Sequence, residues 1–379
     1  MIVGVPKETV AGERRVALVP ELVSKLTKAK LEVVVEPGAG QAAGFPDAAY
    51  REQGARVEPD GMANADVRLC VQPPAVDQIE RMRPGAILIG FLRPYETPPV
   101  INALAARPVT AFAMELMPRI TRAQPMDALS AMSTVSGYKA VLMAAERLPK
   151  FFPLLMTAAG TVNPARVFVI GAGVAGLQAI GTARRLGAVV EAYDMRPVVK
   201  EQVESLGAKF AELELETKDA QDKGGYAKGQ SEEFYQKQQQ LMHRYVAAAD
   251  VVIATALVPG RRAPILVTEQ MVQAMRPGSV IVDLAAEQGG NCAVTKPGQE
   301  AVVHGVWILG PLNLPGTLPF HASQLYSRTV ANFLMHLVKD GGIRLDLNDE
   351  LTCGPLVTHE GRVVHEAIKA ALSAGSNPL

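Results

Sequence analysis

Residues 166–194, RVFVIGAGVAGLQAIGTARRLGAVVEAYD, decide the fold. Arg166-Val-Phe-Val-Ile170 is a short run of β-branched and aromatic residues and reads as a buried strand. It passes directly into Gly171-x-Gly173-x-x-Gly176, after which Leu177, Ile180 and Leu186 recur at helical spacing. Gly187 ends that helix, and a second strand, Val189–Tyr193, runs to Asp194. Gly171 permits a tight turn, Gly173 lets a pyrophosphate approach the backbone, and Gly176 lets the helix pack against its strand. Free N–H groups at the helix start favour the phosphates. Asp194 lies 18 residues beyond Gly176, placed to accept hydrogen bonds from the adenosine ribose hydroxyls. A glycine-rich turn alone also serves plain strand–helix junctions. Here strand, turn, helix, strand and acid follow one another within one βαβ length, which favours dinucleotide binding. Asp194 would repel a 2′-phosphate, so NAD(H) is favoured over NADP(H). Arg196 weakens that preference without overturning it.

Outward from this stretch, 379 residues suggest two domains, each able to bury its own core. Hydrophobic content of 48% and charged content of 20% are those of an ordinary soluble globular protein. Lys+Arg and Asp+Glu are equal at 38 each, so no basic excess points to nucleic acid or an anionic membrane surface. Cys70, Cys292 and Cys353 are widely spaced and form no CxxC pattern, which suits a reducing cytoplasm and no structural metal. MIVGVPKE enters a strand at once, without the apolar core of a signal peptide. The most apolar stretch, residues 151–159, holds Pro153 and is too short to span a bilayer.

The pattern predicts an α/β chain of two Rossmann-like domains with mainly parallel sheets, joined by long helices. Residues 1–130 with 323–379 form a discontinuous first domain, and residues 131–322 form the dinucleotide domain. In the first, strands are predicted at 2–5, 32–36, 67–71, 87–91 and 109–114, with a helix beginning near Pro20. Residues 127–148 are the longest helical pattern and bridge the domains. Pro149, Pro153 and Pro164 mark an irregular connection. Residues 212–240 are polar and charged, with Gly224-Gly225-Tyr226 inside them, and read as an exposed, mobile excursion. Strands resume at 251–255, 280–283 and 302–309, with a helix over 271–275. A helix over 323–338 returns the chain to the first domain.

Three further stretches hold candidate chemistry. Arg119-Ile-Thr-Arg-Ala-Gln124-Pro-Met-Asp127-Ala-Leu-Ser130 follows a strand, where parallel sheets place their ligand clefts. Asp127 or Ser130 equally suits a plain helix cap. Ala254-Thr-Ala-Leu257 ends a strand and is placed to line the nicotinamide side of the cleft. Asp283-Leu-Ala-Ala-Glu287-Gln-Gly-Gly290 offers Glu287 as a catalytic candidate, although an exposed carboxylate beside a turn is commoner. All six histidines lie beyond the fingerprint, which leaves the first domain's cleft face without an obvious imidazole base. HExxH and GxSxG are absent, against zinc protease and serine hydrolase chemistry.

Gly4-Val-Pro-Lys-Glu8, Glu13-Arg-Arg-Val-Ala-Leu18, Gly38-Ala-Gly40, GAGVAG and VDLAxEQGG together resemble two related families. One is alanine dehydrogenase, and the other is the NAD(H)-binding alpha subunit of proton-translocating NAD(P) transhydrogenase. The resemblance runs nearly end to end. Alanine dehydrogenases carry a substrate-binding lysine where Gln72 stands, a catalytic histidine at Arg93 and an aspartate at Glu287; of the pyruvate-binding set only Arg15 is retained. The run from Glu115 to Asp127 resembles the Arg–Gln–Asp loop of transhydrogenase, and Gly224-Gly-Tyr-Ala-Lys228 its mobile loop.

The transhydrogenase resemblance implies that Arg119, Gln124, Asp127 and Ser130 position the nicotinamide and its ribose, with Ile120 and Thr121 beside them. It implies Gly171, Gly173, Val174, Ala175 and Gly176 at the pyrophosphate and Asp194, Met195 and Arg196 at the adenosine ribose. Gly225, Tyr226, Gln238 and Leu257 would close over the nucleotide. It further implies NADP(H) on the beta subunit, a membrane alpha subunit, a homodimer and a cytoplasmic chain held at the inner membrane by those partners. Ending at Leu379 without a membrane segment, the chain looks like a separately encoded soluble subunit. The alternatives are an autonomous amino-acid dehydrogenase and a non-catalytic NAD(H)-binding module.

Overall fold

The strand Arg166–Ile170 sends alternate side chains into two separate cores, and this alternation sets the architecture around it. Val167 and Val169 join one cluster, Phe168 and Ile170 the other. A strand buried on both faces needs helices on both sides, the arrangement of parallel sheets with helical crossovers. The computed structural model, which describes residues 1–59, 62–212, 232–257 and 262–373, contains two sheets of this kind. The chain divides into two compact units, one of residues 1–132 with those from Pro315 onward, the other of residues 133–314.

In chain order the first unit opens with β1 (Ile2–Val5), α1 (Pro20–Lys28), β2 (Glu32–Val35), α2 (Asp47–Glu52) and β3 (Arg56–Val57). β4 (Val67–Leu69), α3 (Val76–Glu80), β5 (Ile87–Gly90), α4 (Pro98–Ala106) and β6 (Thr110–Ala113) follow. The division between the units falls inside α5 (Ala128–Arg147). The second unit contains β7 (Leu155–Thr157), β8 (Gly160–Val162), β9 (Arg166–Ile170), α6 (Val174–Arg185) and β10 (Val189–Tyr193). It continues with α7 (Lys200–Ser205), β11 (Lys209–Phe210), α8 (Glu232–Ala248), β12 (Val251–Ala254) and α9 (Glu269–Gln273). β13 (Val280–Asp283), β14 (Glu300–Val303) and β15 (Val306–Leu309) complete it. Back in the first unit are α10 (Pro319–Leu337), β16 (Val338–Lys339), β17 (Gly342–Ile343) and α11 (Glu350–Cys353). β18 (Leu356–His359), β19 (Arg362–Val363) and α12 (Glu366–Ser373) end the described chain.

The first sheet runs β19-β18-β6-β5-β4-β1-β2-β3 and is parallel from β6 to β3. β18 joins β6 antiparallel, so the end of the chain is built into this sheet. The second runs β11-β10-β9-β12-β13-β15-β14, parallel except for β14. Both are mainly parallel and doubly wound, the fold class the sequence implies. In each, strand order reverses beside the first strand, between β9 and β12 and between β1 and β4, and such reversals open ligand crevices at the strands' carboxyl ends.

Two readings need correction. The connection at 149–164 is not irregular throughout, because β7 and β8 pair in it as an exposed antiparallel hairpin. On α6 Ile180 is buried as expected, but the rest of the buried face is Gly176, Ala179, Thr182 and Ala183, with Leu177 and Leu186 only partly buried against the same core. Small residues let the helix lie close to its sheet, and the leucines are left at the flank.

Asp283, fully buried at the end of β13, holds the following turn. Its carboxylate accepts from Ala285 N (3.0 Å), Cys292 N (2.9 Å) and Thr295 Oγ1 (2.7 Å). Asp283→Ala strands these donors inside the unit and is expected to cost about 2–3 kcal/mol. Urea unfolding measures it, and a loss below about 0.5 kcal/mol would contradict this role.

Candidate functional site

At the β9–β12 reversal the chain turns through Gly171 with φ +92°, a conformation in which side chains are strained. A Cβ there would meet Thr255 Oγ1 at 2.6 Å, and one at Gly176 would sit 1.8 Å from the Gly171 carbonyl oxygen. Gly173 is different: nothing lies within 4 Å of its missing side chain, so the space over the turn is open. Thr255 donates to the carbonyls of Ile170 (3.2 Å) and Gly171 (3.0 Å), tying the ends of β12 and β9 together. Val174, at the helix start, is exposed and Ala175 half-buried. A close turn, an open backbone and the N–H groups at the start of a twelve-residue helix are the features that favour an anion.

Gly137 of α5 adds a contact that the sequence does not announce. A Cβ on it would lie 2.1 Å from the Ala175 carbonyl oxygen, so α5 packs directly on the first turn of α6. Asn291 is equally hidden. Fully buried, it accepts from Ala256 N (2.9 Å) and donates to the carbonyls of Ala256 and Pro264 (both 2.9 Å), fixing the strand end that leads to Leu257. Leu257 is partly exposed.

Asp194 lies beside the turn, and its carboxylate is already engaged. It accepts from Ala172 N (2.7 Å) and from Arg196 N, Nε and Nη2 (2.9, 2.9 and 2.8 Å). The residue expected to read the ribose therefore also holds the glycine turn, and Arg196 covers it. Met195 between them is half-buried against the core that contains Phe168. Gln238 on α8 is buried and donates to the Tyr193 hydroxyl (3.0 Å). Burial, chiefly, with Asp194 adding to it, pushes the Tyr193 hydroxyl up to about 12. Gly225 and Tyr226 lie outside the described residues.

In the first unit, Arg119 to Ser130 follow β6 and lead into α5. Thr121–Met126 form a 3-10 turn, with Arg119, Thr121 and Gln124 exposed and Ile120 half-buried. Asp127 accepts from Ser130 N (2.8 Å) and Ser130 Oγ (2.5 Å), so the helix-cap reading of this pair is realised in the structure. That arrangement leaves Gln124 displayed on a fixed loop.

The first unit's own reversal, between β1 and β4, holds a small crevice lined by Glu8, Arg68, Cys70 and Gln72. Glu8 accepts from Val71 N (2.6 Å) and Gln72 N (3.2 Å). Glu13 takes both Nε and Nη2 of buried Arg15 (2.8 and 2.6 Å) and the Gln72 amide (2.8 Å). Arg93, at φ +49°, pairs with Glu96. Glu287, in the second unit, is exposed and accepts from Asn313 N (2.7 Å), as a carboxylate beside a turn does. The first unit's histidines come from its returning segment. His336 contacts Thr352 Oγ1 (3.1 Å) and His359 contacts Thr110 Oγ1 (3.1 Å), both packed into the fold.

Fold and turn together define a two-unit α/β chain of the dinucleotide-binding type. The chain belongs to the alanine dehydrogenase/PNT family, whose N-terminal domain matches residues 4–136 and C-terminal domain residues 140–366. It is 47% identical to the first part of the NAD(P) transhydrogenase alpha subunit of Rhodospirillum rubrum, over 97% of this chain and 99% of that one. It is 43% identical to NAD(P) transhydrogenase subunit alpha of Haemophilus influenzae, over 97% of this chain and 72% of the longer relative. The alanine dehydrogenase of Bacillus subtilis is more distant, at 30% over 97% of this chain and 94% of its own. Among solved structures, transhydrogenase from Sinorhizobium meliloti superposes with TM-score 0.85 at 45% identity, covering 97% of this chain and all of that one. An L-alanine dehydrogenase gives 0.82 at 29%, covering 99% of this chain and all of its own.

Glu115 begins the loop segment and carries a pH signature. Its Oε1 accepts from Leu92 N (2.9 Å) and Arg93 N (2.5 Å), while Oε2 is buried without a partner. Burial raises its carboxyl from 4.5 to about 7. The folded state thus holds a proton that the unfolded chain releases, and this contribution to stability is lost as pH rises from 4.5 through about 7. Relative to Glu115→Gln, which stays neutral, wild-type stability is expected to fall by on the order of 2 kcal/mol between pH 5 and pH 8. Urea denaturation at both pH values measures the difference; one independent of pH would count against it.

Proposed function

We propose that this chain is the NAD(H)-holding subunit of a proton-coupled NAD(P) transhydrogenase. The nicotinamide, when bound, exchanges a hydride with a second nicotinamide, that of NADP(H) on a partner beta subunit. Val174, Ala175 and Gly176 receive the pyrophosphate at the open start of α6. Asp194, Met195 and Arg196 take the adenosine ribose, which requires Arg196 to yield some of its hold on Asp194. Arg119, Gln124, Asp127 and Ser130, with Ile120 and Thr121, place the nicotinamide end. Gln238, Leu257 and the segment with Gly225 and Tyr226 shield it from water.

The observation that carries this reading is the chemistry of Gln72 and Arg93. Oxidising an amine or alcohol carbon removes a hydride and also a proton from nitrogen or oxygen, so a base must stand ready. An amide has no basic nitrogen, and a guanidinium keeps its proton throughout the ordinary pH range. Arg15, which the dehydrogenase reading needs for a substrate carboxylate, is committed to Glu13. Exchange between two nicotinamides needs no such base, only two rings at near-attack distance.

The partners follow from the same reading: the beta subunit with NADP(H), a membrane alpha subunit that links exchange to proton passage, and a second copy of this chain. Among the described residues no helix is long and apolar enough to cross a membrane. The β7–β8 hairpin supports the homodimer, since it leaves Phe151, Leu154 and Met156 in solvent, Met156 at 79%.

The experiment combines the chain with the NADP(H)-binding beta-subunit domain and follows hydride exchange from NADH, alongside NADH oxidation by the chain alone with pyruvate and ammonium. Exchange in the first and none in the second is expected; robust turnover of pyruvate would instead establish an amino-acid dehydrogenase. Binding of NADH with neither activity would leave a non-catalytic module. Gln124→Asn is expected to slow exchange about tenfold while changing NADH affinity less than about twofold. Equal losses in rate and affinity would contradict a ring-positioning role.

A further inference from the structure

The turn Thr121–Met126 is short, closed by bonds such as Ala123 N to the Ile120 carbonyl (3.0 Å) and Asp127 N to the Gln124 carbonyl (3.3 Å). Pro125 lies inside it and brings no N–H to its hydrogen bonds. Gln124 and Pro125 are exposed, and only Ala123 is buried beneath them. Two side-chain tethers from distant parts of the first unit also hold the turn. Asn332 on α10 donates Nδ2 to the Pro125 carbonyl at 2.9 Å. Its Oδ1 accepts from Lys25 Nζ of α1 at 2.8 Å. An ammonium group can only donate, so Lys25 dictates which end of the Asn332 amide faces Pro125. The second tether runs from Arg122 Nη2 to Asp349 Oδ2 at 2.8 Å. Asp349 Oδ1 accepts from Leu351 N (3.1 Å) at the start of α11, which anchors the carboxylate.

We infer that Asn332, oriented by Lys25, and Asp349, acting through Arg122, are positioning residues that set the place of Gln124 for hydride exchange. This rests on the proposed transhydrogenase function, in which Gln124 orients the nicotinamide. Exposed polar tethers of this kind contribute little to overall stability. Their effect is geometric, because a reacting group displaced by about an ångström can lose up to a hundredfold in rate. The tethered carbonyl belongs to the residue directly after Gln124, so freeing the Pro125 carbonyl frees Gln124 with it.

The test uses Asn332→Asp and Asn332→Ala in the full chain. The aspartate keeps the shape and the acceptor facing Lys25 but sets a carboxylate oxygen against the Pro125 carbonyl. Both variants are expected to exchange hydride with the NADP(H)-binding partner about tenfold more slowly. NADH affinity, from fluorescence titration, stays within about twofold of wild type, and amide hydrogen exchange over residues 119–127 quickens. Lys25→Met produces a smaller loss that is not additive with Asn332→Asp, the mark of a shared network. Wild-type exchange rates with unaltered amide protection in both Asn332 variants would overturn the inference, as would a loss of affinity parallel to the loss of rate. Failure of the underlying reading looks different: wild type itself then binds NADH but passes no hydride to the partner, while the amide readout still judges the tethers.

Discussion

The second unit depends on how closely α6 starts beside the end of β9. Gly176 stands so near the Gly171 carbonyl that a methyl group there would lie 1.8 Å from it. Thr255 fastens the same turn to the neighbouring strand, and Asp194 fastens it through Ala172 N. Four segments separated in sequence thus converge on one backbone turn: the ends of β9, β10 and β12, and α5 through Gly137. Their convergence leaves the N–H groups at the start of α6 facing open space above Gly173. An anion that enters meets donors already in place, so little reorganisation opposes its binding.

The first unit has the same kind of strand reversal but lines it with charged and polar side chains. Glu8, Glu13, Arg15 and Gln72 satisfy one another or the local backbone, and Glu13 supplies Arg15 with its counter-charge. A buried ion pair of this type is costly to break because either partner alone would be a stranded charge. Among these polar groups Glu8 and Gln72 line the small crevice at the β1–β4 reversal. The Arg119–Ser130 loop leaves Arg119, Thr121 and Gln124 exposed and is tied to α10 and α11 through Asn332 and Asp349.

The fingerprint was legible because its signals are local. A β-branched strand, three glycines at fixed spacing and an acid after the next strand are read along the chain without knowing any long-range contact. The alternation of Val167 and Val169 against Phe168 and Ile170 similarly marks a strand covered on both sides. The β7–β8 hairpin was missed because it is exposed and proline-flanked, so no burial pattern marks it. The antiparallel insertion of β18 beside β6 joins residues far apart in sequence, which no periodicity records. Polar holding residues were the least legible. Nothing near Asn291 or Asn332 shows which carbonyl its amide will reach, and Asp194 and Arg196 were both identified while their mutual pairing was not. The Asp127–Ser130 cap was legible because an acid three residues before a serine at a helix start is a local signal.

The proposed reaction passes a hydride directly between two nicotinamides, one of them held by this chain. The most direct measurement uses NADH deuterated at the transferable C4 position, the chain and the NADP(H)-binding partner subunit, with the NADPH formed analysed by mass spectrometry. The account predicts that the deuterium appears in NADPH without dilution by solvent hydrogen. NADPH carrying solvent hydrogen, or label transferred only to alanine formed from added pyruvate and ammonium, would contradict it.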